Sequence, residues 1–218
     1  MLPGPDQIIA CPKCNRPLRC HTLASGNTFG AVLWSDGKQV APMLPEMPVV
    51  SKCGHCSAIF WVEDAETLGE HGGYEPFRDK SAEQVPEDWK ICPVVEHLDT
   101  QGLVEAIDMV NSVDRLRYLR VRLWHTLNTP CRDPKSPGNF DMPELFGRNL
   151  EALAGMLDET DEQERLMKAE CFRELGRHSE AIWLLADVAD NMKWVAAQLE
   201  SLGKVGNSKV SRLAYPSN

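Results

Sequence analysis

The sequence predicts an α+β protein: a small antiparallel β module followed by an all-α domain of stacked helix pairs. Three observations carry this. Residues 1–66 hold two Cys-x-x-Cys knuckles, Cys11-Pro12-Lys13-Cys14 and Cys53-Gly54-His55-Cys56, among short β-rich runs and turn residues. Residues 99–218 instead repeat their apolar positions with the helical period. Between them, residues 67–98 are broken by glycine and proline and read as a packed linker.

Composition limits the choices. With 43% hydrophobic and 25% charged residues in a chain of 218, one ordinary core or a small domain plus a larger one is affordable. No apolar run approaches the roughly 18 residues of a membrane span. Met1-Leu2-Pro3-Gly4-Pro5-Asp6 has neither a basic start nor an apolar stretch, so no secretory signal is expected. Four of the eight cysteines lie in the knuckles, and Cys20, Cys92, Cys131 and Cys171 are scattered without a disulfide framework, which fits a reducing cytoplasm. Residues 1–60 carry a net +2 and residues 61–218 a net −11. Phosphate neutralisation drives nonspecific nucleic-acid binding, so this balance argues against it.

The knuckles point to one structural zinc ion held by Cys11, Cys14, Cys53 and Cys56. Two intervening residues let a tight turn aim both sulfurs at one point, and two such pairs complete a tetrahedral thiolate set. Gly54 is expected to supply a positive φ in its turn. Two separate redox motifs are the alternative, but the βαβ context of a thioredoxin-like site is missing. His55, between its two cysteines, is expected beside the metal rather than on it. Cys20-His21 are alternative ligands, though Cys20 reads better as a small buried residue.

The elements follow in order. Asn15–Cys20 reads as a strand leaving the metal, and Gly26–Trp34 as a turn and a β run. Ser35-Asp36-Gly37-Lys38 is expected to close a hairpin with type I′ geometry. Val40–Pro48, with Pro42, Pro45 and Pro48, is an extended return, and Ala58–Val62 a strand. This two-knuckle, short-strand pattern over residues 8–63 resembles a zinc ribbon, which implies a fold and no particular activity.

In residues 64–93, Gly69, Gly72, Gly73, Pro76 and Pro86 exclude a long helix, and Trp89 and Ile91 are expected to pack the segment down. Leu103, Ile107 and Val110 then share a helical face, and Leu116, Leu119, Leu123 and Leu127 form a second stripe. Thr129–Pro143, rich in proline, is expected as a loop. Thr160–Gln163 fits a capping box for a helix burying Leu166, Ala169, Phe172 and Leu175 and ending at Gly176. Ser179 is expected to cap the next helix, striped by Ile182, Leu185, Val188 and Met192, and Gly203 to end a third, striped by Val195, Leu199 and Leu202.

Ala169–Ile182, with Leu175-Gly176 at its turn and Glu180-Ala181-Ile182 opening the second helix, resembles a tetratricopeptide helix pair. Gly147–Leu153 echoes Gly176–Ile182 at an offset of 29 residues, not the 34 of a regular array. A plain helical bundle is the alternative. The chain as a whole resembles a bacterial cytoplasmic protein rather than an enzyme family.

Candidate partner-binding residues are the aromatics of the β module and the basic cluster that follows it. Trp34, Trp61, Phe29 and Phe60 suit either a recognition face or, as the favoured reading, packing against the helical domain. Arg115, Arg117, Arg120 and Arg122, with Trp124, suit an acidic peptide or a phosphate, against pairing with Glu105, Asp108 and Asp114. No nucleophile motif, phosphate loop or His-Glu-x-x-His site occurs, so no enzyme is expected. The expected function is a zinc-stabilised protein-interaction module. A nucleic-acid-associated zinc-ribbon protein is the alternative, distinguished by whether Trp34 is exposed among arginines and lysines.

Overall fold

The computed structural model describes residues 1–72, 85–132, 142–186 and 188–216. Gly73, Pro76 and most of the proline-rich stretch after Arg132, including Pro134, Pro137 and Gly138, lie outside the described residues. The chain forms small antiparallel sheets near its start and helices after them, an α+β fold. It divides into two units, one of residues 1–31 and 41–102, the other of residues 32–40 and 103–218. Residues 32–40, drawn by sequence into the β module, thus belong to the helical unit.

In the first unit, β2 (Asp6–Ala10) is the middle strand of a three-stranded sheet, between β3 (Pro17–Cys20) and β9 (Thr67–His71). Ile8 and Ile9 are both buried, so this strand is covered on both faces. β9 pairs residues that the sequence assigned to a linker. The knuckles close two hairpins: β2 runs into the first and β3 leaves it, while β7 (Val50–Lys52) and β8 (Ile59–Trp61) flank the second. β1 (Leu2–Pro3) and β4 (Leu23–Ser25) form a further pair. Ile9, Leu18, Phe60 and Val95 pack with Cys11 and Cys53 into one core. The short α1 (Glu87–Ile91) lays Trp89 against β9, where a Cβ on Gly69 would come within 2.7 Å of the indole. Ile91, expected to pack, is 84% exposed, because on this single turn it falls on the face away from Trp89.

The second unit holds the hairpin β5 (Val32–Leu33) and β6 (Gln39–Val40) among helices. Its turn is not type I′. Gly37 alone has positive φ (78°), and its amide donates to the Trp34 carbonyl at 2.9 Å, which makes a type I turn closed by a left-handed glycine. α2 (Thr100–Met109), whose first turn still belongs to the first unit, begins on Asp99, whose carboxylate accepts from the Gly102 amide at 2.7 Å. α3 (Val113–Leu127), α5 (Pro143–Ala154), α6 (Glu162–Glu174), α7 (His178–Leu184) and α8 (Lys193–Lys204) pack in sequence order, with Thr129–Arg132 adding a helical turn, α4, in the expected loop.

α6 is the central helix. Leu166 and Ala169 join the core shared with Leu184, Ala196 and Leu199, while Cys171 joins the core of Trp124, Phe146, Leu150 and Leu153. Its N-cap is Asp161, which accepts from the Glu164 amide at 2.9 Å, one residue later than Thr160. It ends in a Schellman turn: Arg177 N donates to Phe172 O and Gly176 N to Arg173 O, with Gly176 at φ 79° and the Arg177 guanidinium 4.0 Å over the Phe172 ring. α7 starts before Ser179 and stops at Leu184, so the expected stripe runs on into a turn where Val188 still packs. Gly203 is buried inside α8, whose left-handed stop is Gly206. Gly147 is helical, whereas Gly176 is a turn residue, so the internal echo does not mark equivalent positions.

Candidate metal centre

The two knuckles are built alike. After each second cysteine comes a left-handed residue, Asn15 (φ 55°) and Ser57 (φ 59°). Asn15 N donates to Cys11 O and Ser57 N to Cys53 O, each at 2.9 Å. Cys11 N then donates to Arg16 O and Cys53 N to Ala58 O. Gly54 does not take the positive φ expected of it. A side chain there would strike Pro93 at 2.7 Å, so the requirement is close approach.

The hairpins bring all four sulfurs of Cys11, Cys14, Cys53 and Cys56 within 4.8 Å of one another. Cys11–Cys56 and Cys14–Cys53 are each 3.8 Å apart, and no disulfide joins them. Four ligands about 2.3 Å from a tetrahedral ion sit roughly 3.8 Å from each other, so the donor set fits zinc in size and softness. For Cys11, burial opposes ionisation, but the Cys14 and Lys13 amides and the neighbouring thiols outweigh it and bring the thiol down to about 7. Burial pushes Cys53 up to about 12 and Cys20 up to about 11. His55 turns its Nε2 to the Pro17 carbonyl at 3.1 Å, which ties the second knuckle to the first hairpin. His21 pairs with Asp6 at 2.8 Å, away from the four thiols.

A cleft of about 550 Å³ opens beside the second knuckle and brings Ser51, His97 and Asp99 to its walls. Each is engaged elsewhere: Ser51 Oγ donates to Glu96 O at 2.7 Å, His97 Nε2 lies 3.0 Å from Glu46 O, and Asp99 caps α2.

The helical unit contains a buried polar cluster that the sequence analysis did not assemble. Asp36, with its side chain fully buried, pairs with Arg132 and accepts from Asn128 Nδ2 at 3.0 Å. Asn128 also reaches Glu174, which accepts from Trp124 Nε1 at 2.8 Å. Arg173 pairs with Glu170, and its guanidinium donates to Ser35 Oγ at 3.3 Å. Burial, reinforced by Glu170 and Asp36, pushes the Glu174 carboxyl well above the usual range. Burial holds His125, whose Nε2 is 3.0 Å from Asp36 O, down to about 4. The available signal was the Glu170, Arg173, Glu174 spacing on one helix face, an ion-pair pattern that reads as a solvated surface until α6 proves central.

The expected partner residues fall in both units. Trp124 is completely buried and its indole N–H is used by Glu174, so it offers no contact surface. Trp34 is half-buried beneath the Arg132 guanidinium, 5.7 Å from its ring. Arg117 pairs with Glu164 and lies 3.4 Å from Asp114, and Arg120 reaches Asn149 at 3.4 Å. Trp61 lies in the first unit, on β8, opposite Val50. Phe60 is in the first unit's core, and Phe29 is 86% exposed. Comparison with known protein families, curated proteins and solved structures finds no match.

Proposed function

We propose that this chain is a protein-interaction module in which zinc, bound by Cys11, Cys14, Cys53 and Cys56, only holds the first unit together. Four protein thiolates complete a tetrahedral sphere and leave no open position for a substrate or an activated water. The zinc-ribbon and tetratricopeptide-like readings belong to this proposal, as does residence in a reducing cytoplasm. The helix pair α6–α7 joined at Gly176 supports the tetratricopeptide-like part.

The observation that carries the interaction reading is Trp183. It is 72% exposed on α7 and borders a cleft of about 280 Å³ with Glu159, Arg165 and Ala186. A large aromatic left in water beside a concavity is the residue type that dominates protein interfaces. The nucleic-acid alternative loses support at Trp34, where the neighbouring arginine is committed to Asp36 and covers the ring.

Two measurements test the reading. Metal analysis of the reduced protein is expected to give one zinc per chain, and its absence overturns the zinc assignment. Proximity labelling in the source cells is expected to mark specific proteins with the natural chain and to lose them with Trp183→Ala. An unchanged set, or capture abolished by nuclease, overturns the interaction reading.

A further inference from the structure

Residues 207–215, which follow α8, bend at Lys209, where Asn207 Oδ1 accepts from Lys209 N at 2.8 Å, then run antiparallel to the hairpin at Trp34 and Arg212 within the second unit, held mostly through their main chain. Ser35 N donates to Ser211 O at 2.8 Å, Ser211 N to Ser35 Oγ at 2.9 Å, and Leu213 N to Leu33 O at 2.9 Å. Gln198 clamps one residue from both sides: its Oε1 accepts from Ala214 N at 2.8 Å and its Nε2 donates to Ala214 O at 2.9 Å. Arg173 donates to the carbonyls of Asn207 and, at 3.0 Å, Lys209. Only two side chains of the segment are buried, Val210 and Leu213, and Tyr215 packs its ring 5.4 Å from that of Trp194.

We propose that this groove is an acceptor site for an extended peptide, filled in the structure by the chain's own segment, with a peptide of the same pattern able to take its place. Main-chain hydrogen bonds to a strand edge are how β-augmentation sites hold linear segments, and here two apolar anchors three residues apart, Val210 and Leu213, flank that contact. The groups that read the main chain are positioned by the rest of the unit. Arg173 is locked by Glu170 at 2.7 Å with both side chains buried, and Gln198 Nε2 is also held by Trp194 O at 3.1 Å. Such preorganisation reduces the ordering that a ligand must supply. The recognised pattern is two aliphatic residues three apart followed two positions later by an aromatic, as in Val210, Leu213 and Tyr215. A chain of that pattern fits because backbone, not side-chain polarity, is what Ser35, Arg173 and Gln198 contact.

The proposal deepens the interaction reading by naming a partner class, but it rests on different residues from Trp183, so the two fail separately. The probe is a fluorescent synthetic peptide spanning residues 207–216, titrated by anisotropy into the full chain. Leu213→Asp removes the anchor that the segment sets into the core of Leu166, Ala169 and Leu199. We expect the peptide to bind Leu213→Asp at least tenfold more tightly than the natural chain, and to lose that gain when Gln198→Ala is added. A folded Leu213→Asp chain that does not bind, or binds no better than the natural one, overturns the proposal. Native-state hydrogen exchange of the natural chain decides the case if Leu213→Asp fails to fold. The Ser211 and Leu213 amides are expected to exchange at least tenfold faster than the Ala169 amide. Exchange at the Ala169 rate, through global unfolding alone, makes the segment a fixed part of the core and overturns the proposal.

Discussion

Asn15 and Ser57 occupy the same place in the two knuckles, each one residue after the second cysteine and each left-handed, at φ 55° and 59°. Both side chains are exposed, so neither position is filled for packing. The constraint is the backbone. The chain must reverse within five residues while both cysteine amides and carbonyls are spent on the turn.

A left-handed residue other than glycine or asparagine costs roughly 1–2 kcal/mol. Ser57→Gly removes that strain but also loosens the unfolded chain, so a net stabilisation of about 0.5–1 kcal/mol is expected. Asn15→Val is expected to destabilise by roughly 1–3 kcal/mol. Thermal melts of the zinc-loaded protein check both, and equal melting of the two variants refutes the account.

The knuckle fold should depend on the metal while the helical unit does not. Metal binding free energy is folding free energy in a site that does not exist in the unfolded chain. Cys14→Ser is expected to release zinc and abolish protection of the β2 and β7 amides in hydrogen exchange. The helical signal in circular dichroism should stay within a few per cent of the natural protein, because α3 and α5–α8 carry their own cores. Loss of the helical signal together with zinc contradicts this independence.

Gly176 is held at φ 79° by the Schellman hydrogen bonds that end α6. A Cβ there would meet only Ser208 Oγ, at 3.9 Å, so a substitution strains the backbone without a clash. Gly176→Val is expected to cost about 1–2 kcal/mol, and Gly176→Asn less, since asparagine tolerates this region better. Urea titrations of the two variants give the comparison, and a valine no worse than asparagine removes the left-handed argument.

Acid should weaken the helical unit through His125. Burial holds its folded pKa at about 4, with the Lys38 and Arg132 charges adding to that effect, whereas the unfolded side chain titrates near 6.5. A depressed pKa means that the unfolded state takes up the proton first. The stabilisation is present above pH 6.5 and is lost as pH falls towards 4, on the order of 3 kcal/mol in all. His125→Gln keeps a donor for the Asp36 carbonyl and does not titrate, so its stability should change less between pH 7 and 4 than that of the natural protein. Parallel stability–pH curves would assign the acid sensitivity to other groups.

Local chemistry made much of this protein legible. Two residues between cysteines allow few turns, so the four ligands follow from spacing alone, and the 3.8 Å sulfur separations agree with it. The ends of α6 were readable to within a residue, because capping and the left-handed stop involve neighbours along the chain. Asp36-Gly37 was recognisable as a turn for the same reason.

What required the tertiary structure involves residues far apart in the chain. Asp36 meets Asn128 across 92 positions, and Asn128 meets Glu174 across 46. Neither pairing leaves a local trace. The destination of the 32–40 hairpin was equally hidden, because a β-rich run between two knuckles reads as part of their module wherever it packs. The burial of the α6 charges leaves no local trace either, since helical period reports which residues share a face and not whether another layer covers the polar one. By itself the sequence determined the four-cysteine cluster and the ends of α6, which short-range geometry dictates. Only the folded chain decided which charges are buried and which partner each one finds, because burial depends on what every other segment leaves uncovered.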